Sequence, residues 1–549
     1  MTKQRAVCLV FLAATLLAAA NPGVPQQKPW RVAGVVVNST TGQPVTGARI
    51  GLRPSDPPGT PLFTLSGVAG RFSFDVVAGE FELTAQHTGF PLQIFGQKTL
   101  GAGFGSAVIT GPGLDMEHLV FQLIPASAIS GRVVDDQGDP VQRALVELYR
   151  SSVQAGKRRI AINRFTYTDD IGEFRISGLG AGSYYLAVAG QPWYSSIDVA
   201  IRLQRMGART DNTLAKSAYP VTYYPDTTDP RAASAVVLKP GQEFVANVEV
   251  RTVSGVRVSA TLQGATGRLR AAMSTTGIEG NDVVVRASEE DGPICVFQGV
   301  APGQYRIMAT VDALLNEVGM KDIEVGSSDL DVQLDPGGTP RVTGKVELEG
   351  GEVDALRGAY VTLYDAEKNR GGNVPLAPDR SFNASAPPGR YSVSIGGVTN
   401  LSMEGLTIDG AAVPEAVLDL EEPGPRELKI RATFSSARVQ GHAYRDGAVS
   451  SGALVMLVPA TDPSNPFDFH AYQTDADGSF DFRAVRPGRY VLIAVEDGSE
   501  LEYAAPAVLV PLRAKGTPVE LAAEETLHEK VEVTLLEPQP GKQSVPAHR

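Results

Sequence analysis

Thr474-Asp475-Ala476-Asp477-Gly478-Ser479-Phe480-Asp481-Phe482, followed by Arg486-Pro487-Gly488-Arg489-Tyr490-Val491-Leu492-Ile493, is the stretch that decides the fold. Phe480 and Phe482 alternate with polar residues, and Tyr490, Leu492 and Ala494 fall on one face of the next run. This period of two predicts a pair of short strands, each with one apolar side. Gly478 and Gly488 sit where tight turns call for φ > 0, and Pro487 lies outside the strands, where no ladder N–H is lost.

The pattern recurs up the chain. Copies are Gly70-Arg71-Phe72-Ser73-Phe74 with Ala78-Gly79-Glu80-Phe81, and Thr168-Asp169-Asp170-Ile171-Gly172-Glu173-Phe174 with Ala181-Gly182-Ser183-Tyr184. A degenerate third has Asp291-Gly292-Pro293-Ile294 with Pro302-Gly303-Gln304-Tyr305, and a fourth has Asp379-Arg380-Ser381-Phe382 with Pro388-Gly389-Arg390-Tyr391. The glycines at 79, 182, 303, 389 and 488 are 103, 121, 86 and 99 residues apart, the mark of a repeat near one hundred residues. Opening strands precede them, clearest in Gly131-Arg132-Val133-Val134-Asp135, then Gly138-Asp139-Pro140-Val141 and Ala144-Leu145-Val146-Glu147-Leu148. One side of each sheet is apolar and must meet a second sheet, which predicts sandwiches. Beyond residue 20 no long segment holds a 3.6-residue period, and one short helix is expected around Ile201–Ala215.

Composition sets the bounds. With 43% hydrophobic and 20% charged residues, wholesale disorder is excluded, and 549 residues imply four or five domains. A formal charge of −12 argues against nucleic acid or an anionic membrane surface as partner. Two cysteines exclude a disulfide scaffold and a cysteine-built zinc site. Lys3 and Arg5 precede an apolar run, residues 6–20, that is short for a ~30 Å hydrocarbon core and ends in Ala18-Ala19-Ala20. Residues 1–20 therefore read as a signal peptide, and no later run is long enough for a transmembrane segment in the mature chain. Its removal shifts the charge to −14 and leaves Cys295 as a lone cysteine, read as a small buried hydrophobe.

The run G-x-V-x-D, G-x-P-V, A-x-V-x-L, then T-D, G-x-F-x-F and P-G-x-Y-x-L resembles the carboxypeptidase regulatory-like domain. The resemblance implies a small transthyretin-like (prealbumin-like) β-sandwich of about seven strands, frequent in exported bacterial proteins. It speaks for fold and contains no catalytic group. The expected architecture is all-β, a linear array of about five transthyretin-like or Ig-like β-sandwich domains after the signal peptide. Its parts are a linker at 21–30, sandwiches at 31–125 and 127–190, and an aromatic, Pro-rich insertion or connector at 191–239. A degenerate sandwich at 240–337, two more at 339–432 and 436–537, and a flexible tail at 538–549 complete it.

Peptidase chemistry fails on the residues. None of His87, His118, His442, His470, His528 and His548 has Glu three positions later, and His528-Glu529 is followed by Val531 and Glu532 rather than a second imidazole. There is no G-x-S-x-G elbow and no phosphate loop. The Asp-rich turns at 169–172 and 475–478 offer too few oxygens for calcium and read as self-capped turns. Catalytic, cofactor-binding and metal residues are therefore expected to be none. The possible ligand site is the insertion, with Trp193, Tyr194, Tyr219, Tyr223, Tyr224 and Asp226. Its aromatics would either pack on the edge of the second sandwich as a Pro-fixed connector, becoming a clamp between the second and third sandwiches if buried, or, if exposed and coplanar, offer a surface for a sugar or an extended peptide.

The functional expectation is a non-enzymatic exported cell-envelope protein, a binding or structural scaffold, lying in the periplasm, on the outer membrane or outside the cell. The alternative is a carbohydrate-binding protein, with an accessory subunit of an envelope enzyme or receptor third. Partners would be polysaccharide or another envelope protein. N-terminal sequencing of exported material is expected to start near Asn21; chains that still carry residues 1–20 would remove the signal-peptide reading.

Overall fold

Residues 29–536 are described by a computed structural model, apart from 102, 155, 196–215, 263–268, 291–293, 312–317, 335–339, 350–352, 366–369, 399, 423 and 462–465. The segment 1–20, most of the 21–30 linker, the helix expected at Ile201–Ala215 and the tail 538–549 lie outside the described residues.

Five times the chain builds the same two sheets. The opening strands are Trp30–Asn38, Ser127–Asp135, Val256–Leu262, Arg341–Glu349 and Ala437–Arg445. Each runs antiparallel to the strand carrying the G-x-F-x-F pattern or its worn equivalent, and parallel to the last strand of its sandwich. The second sheet centres on Arg49–Asp56, Leu145–Gln154, Leu269–Thr276, Tyr360–Asp365 and Leu454–Pro459. Each of these lies between the strand that follows it and the strand begun by the P-G-x-Y turn. Five cores fill the space between sheets, centred on Ile50 and Leu83, Val146 and Leu186, Met273 and Ile307, Val361 and Val393, and Val455 and Leu492.

Polar groups of the motif are used up inside each repeat. The tyrosine of P-G-x-Y donates its hydroxyl to the carbonyl four residues upstream: Tyr184 to Gly180, Tyr305 to Ala301, Tyr391 to Pro387 and Tyr490 to Arg486, all at 2.8–2.9 Å. The first copy has Phe81, which buries the ring without that bond. A hydroxyl before the Gly turn pins the second strand in three copies. Thr168 Oγ1 donates to Val141 O and accepts from Ala144 N, and Thr474 and Ser66 do the same in their copies. Each such bond contributes about 0.5–1.5 kcal/mol net.

Glycine in the opening strand is a steric requirement. A Cβ on Gly441 would lie 1.7 Å from Glu529 O and 3.0 Å from the Phe480 ring, and one on Gly131 would lie 1.9 Å from Ala246 O. In the third sandwich Ala260 stands in this place, opposite Cys295 where the others have Phe. The smaller partner leaves room for the alanine methyl. Cys295 is fully buried among Val258, Phe297 and Ile307, a core residue as expected.

Three expectations need correction. Residues 240–250 do not begin the third sandwich: Glu243–Val245 and Val248–Val250 pair with the opening strand of the second, whose core takes Ala246, Val248 and Val250. Lys239-Pro240-Gly241-Gln242 looks like a repeat boundary, yet its turn joins two strands of one sandwich, Gly241 N bonding Pro125 O. A helix absent from the sequence reading, Pro506–Arg513, lays Leu509 and Leu512 on the outer face of the fifth sandwich. Its β-branched residues and Pro511 conceal it. Finally, the array is linear only in chain order, because the fifth sandwich returns in space to the first and second.

Of the five turn glycines, Gly182, Gly303 and Gly488 hold φ of +147°, +158° and +154°, whereas Gly79 and Gly389 lie outside the positive-φ set. A Cβ on Gly488 meets only Tyr490 Cε2 at 3.6 Å, so the penalty there is backbone strain. Gly488→Val is expected to destabilise the chain by about 1–3 kcal/mol. Gly79→Ala, whose Cβ would also sit 3.6 Å from its neighbour, should stay within about 0.5 kcal/mol. Denaturant unfolding that ranks them the other way would refute this account.

Candidate functional site

The aromatic insertion holds all six site residues expected from the sequence. Trp193 opens a single 3₁₀ turn, Trp193–Ser195, and is 61% exposed, with Tyr194 edge-on at 5.6 Å. Further along the chain, Ser217–Ala218 pairs with Val253–Ser254. Tyr219 turns into the core of the second sandwich and donates to Asp135 Oδ2 at 3.1 Å. Thr222–Tyr223 then adds to the strand Gly182–Ala189, Tyr223 lying opposite Ala187. Tyr224 is half-buried, edge-on to Phe244 at 6.1 Å. Asp226 is exposed, and its Oδ1 accepts from Glu249 N at 2.7 Å.

No flat platform results. A sugar-stacking surface needs Trp193, Tyr223 and Tyr224 exposed and coplanar, but Tyr223 is 1% exposed and Tyr219 5%. The reason is the surface they meet. Tyr223 packs with Tyr149, Ile160, Ala187 and Val221 of its own side and with Ile278 and Val283 of the third sandwich. Asn281 Nδ2 of that sandwich donates to Ile160 O at 2.7 Å. Gly277 leaves space for the phenol: a Cβ there would lie 3.0 Å from Tyr223 Oη. The insertion thus contributes to a clamp between the second and third sandwiches.

At the heart of the clamp is a residue that the sequence did not single out. Glu147 is 4% exposed, accepts from Tyr149 Oη at 2.5 Å and also takes the backbone N–H of Val284 from the third sandwich. Burial pushes its carboxyl above the ordinary carboxylate range, and those two hydrogen bonds only partly offset the rise. Burial likewise raises the phenols of Tyr149 and Tyr223, helped by the negative charge of Glu147. A signal for this face existed. In Leu145-Val146-Glu147-Leu148-Tyr149 the positions opposite Val146 and Leu148 include Leu145 and Tyr149, so both sides of the strand ask for cover.

The Asp-rich turns divide. Asp169 caps its own turn through Ile171 N and Glu173 N, and Asp477 caps Ser479 N. Asp475 instead bonds Ala107 N of the first sandwich. His528 lies on the last strand of the fifth sandwich beside Gln440. Among the described residues no helix is long and apolar enough to cross a membrane, and no three His, Cys, Asp or Glu side chains converge as a metal site would require.

Residues 128–215 match the carboxypeptidase regulatory-like domain, so the second sandwich is similar to that family; the strands completing it, through Val250, lie beyond the match. The fold class of the chain is an all-β array of sandwiches. No curated protein matches the chain. Among solved structures, the Bacillus anthracis TIE protein is 11% identical, with 75% of each chain covered and a TM-score of 0.18. GBS52, the minor pilin of Streptococcus agalactiae, is 14% identical over 41% of this chain and 96% of its own, with a TM-score of 0.21. A single-residue variant of the shaft pilin SpaA of Lactobacillus rhamnosus GG is 8% identical over 41% and 98%, with a TM-score of 0.20. Likenesses this distant carry no argument about function.

Tyr223→Ala is expected to cost about 3–5 kcal/mol, since it empties a fully packed site in the clamp. Trp193→Ala should cost no more than about 0.5 kcal/mol. Equal losses in thermal or denaturant unfolding would mean that the insertion is not held through Tyr223.

Proposed function

We propose that the chain is a non-enzymatic structural scaffold of a bacterial cell envelope, exported by its N-terminal segment and offering its sandwiches as a joined body for contact with other envelope components. The observation that carries this reading is the fate of the polar and aromatic motif residues. Tyr184, Tyr490, Thr168 and Thr474 spend their hydroxyls inside the repeats, and Tyr219 and Tyr223 are buried at the clamp. Side chains so engaged hold shape and are withdrawn from chemistry on a ligand. The basic, apolar and small-residue order of residues 1–20 supports export, and the family match to residues 128–215 supports a modular build.

The test uses the purified exported chain on two panels. Peptide, ester and glycoside substrates are expected to remain unhydrolysed, and glycan-array signals should be the same for the chain and for Trp193→Ala. Turnover abolished by one point change would overturn the scaffold reading in favour of an enzyme. Glycan binding abolished by Trp193→Ala in a folded chain would replace it with the carbohydrate-binding one.

A further inference from the structure

We propose that the contact between the first and fifth sandwiches is a reversible latch whose proton-sensitive member is Asp475, tight in acid and loosened as the solution turns neutral. The contact joins positions 368 residues apart through named bonds. Ser106 Oγ donates to Thr474 O at 2.7 Å, and Ala107 N to Asp475 Oδ1 at 2.8 Å. Ala476 N donates to Ala107 O at 2.9 Å, and Gln473 Nε2 reaches Gly96 O and Ser106 Oγ at 2.9 and 3.0 Å. Ala476 packs against the core of the first sandwich. At the rim Lys98 faces Asp497 at 3.6 Å.

Asp475 is 4% exposed, and the turn does not require that burial. Its counterpart Asp169 caps the same turn in the second sandwich while exposed to solvent. In the fifth, Asp477 supplies a capping bond to Ser479 N, so Asp475 is turned toward the neighbouring sandwich. The surrounding charges do not favour its ionisation. The Ala107 N–H and the Tyr472 hydroxyl, which donates to Oδ2 at 2.9 Å, favour the ionised form and offset burial only in part, while burial holds His470 on the Tyr472 strand neutral, its pKa pushed down to about 4. The turn adds Asp477 and the Ser479 hydroxyl, and the first sandwich adds Glu80. Arg483, from the next strand, is shared between Asp481 and Glu80.

Burial is the main cause that pushes the Asp475 carboxyl up to about 7, against an ordinary value near ~3.9 when the sandwiches part. The docked state therefore holds the proton more tightly. Its advantage is complete below the ordinary value and is lost as pH rises through about 7. The docking constant should fall roughly tenfold per pH unit between about 4 and 7 and level off above that.

Hydrogen exchange on the full chain tests this at the amides of Ala107 and Ala476, with intrinsic rates divided out. Between pH 5.0 and 7.5 their protection is expected to fall by about 10- to 100-fold. Val361 and Leu363 in the fourth sandwich should hold theirs. Asp475→Asn, neutral at both pH values, should abolish the fall. Ser106→Ala removes two bonds across the contact but leaves Asp475, so it should lower protection at both pH values and keep the slope. A flat wild-type profile, an unchanged slope in Asp475→Asn, or a slope lost in Ser106→Ala would overturn the latch.

Discussion

The strand Leu145–Gln154 is the constraint on which the rest of the molecule depends. Val146 and Leu148 face the core of the second sandwich, while Glu147 and Tyr149 face the third. Arg150 carries the strand toward the first sandwich, donating to Leu100 O at 2.8 Å. Its hairpin partner reaches the fifth, where Arg158 pairs with Glu502 at 2.8 Å and Ala504 N bonds Gly156 O. A sheet buried on both faces cannot present either to water, so this strand fixes its neighbours as well as its own domain. Burying each large apolar group here contributes about 1.5–3 kcal/mol. The Glu147 carboxyl works against that gain. Tyr149 and Val284 satisfy its oxygens, which makes the charge tolerable without making it free.

The fold was legible because the motif consists of backbone instructions. Phe480 and Phe482 reveal a period of two, and the turn glycines mark where strands end. The tyrosine hydroxyl bond was visible only as a repeated letter, since a carbonyl four residues away has no sequence signature. Less of the candidate site could be read. Trp193 and Tyr223 look alike in sequence, yet one is exposed and the other sealed, because the difference lies in Ile278 and Val283 more than fifty residues on. The boundary set at residue 240 failed for the same reason. Lys239-Pro240-Gly241 specifies a turn, and nothing local states that Glu243–Val245 will pair with the strand begun at Ser127.

The degenerate third copy shows what the repeat can give up. It loses the first aromatic of the pattern to Cys295, keeping the second as Phe297, and the opening-strand glycine to Ala260, two changes that offset each other in volume. It keeps Tyr305 and its bond to Ala301 O. The first copy makes the opposite choice, keeping Gly34 and Phe72 while replacing the tyrosine with Phe81. Neither sandwich is therefore held by one indispensable contact. What persists in all five is the placement of the opening strand between an antiparallel and a parallel neighbour.

That economy bears on how the ends of the chain meet. Bringing together groups 368 residues apart would be entropically costly for a flexible chain, though the cost grows only with the logarithm of the loop. Here the intervening chain is largely folded into sandwiches, and the second reaches both partners of the closure, Leu100 through Arg150 and Glu502 through Arg158. Synthesis from the N-terminus would present those surfaces before the fifth sandwich exists. The fifth then docks on a surface already shaped, with its helix Pro506–Arg513 and Phe104 of the first sandwich covering one more sheet face. Closure is thus the consequence of a strand in the second sandwich whose two faces and one end are all engaged.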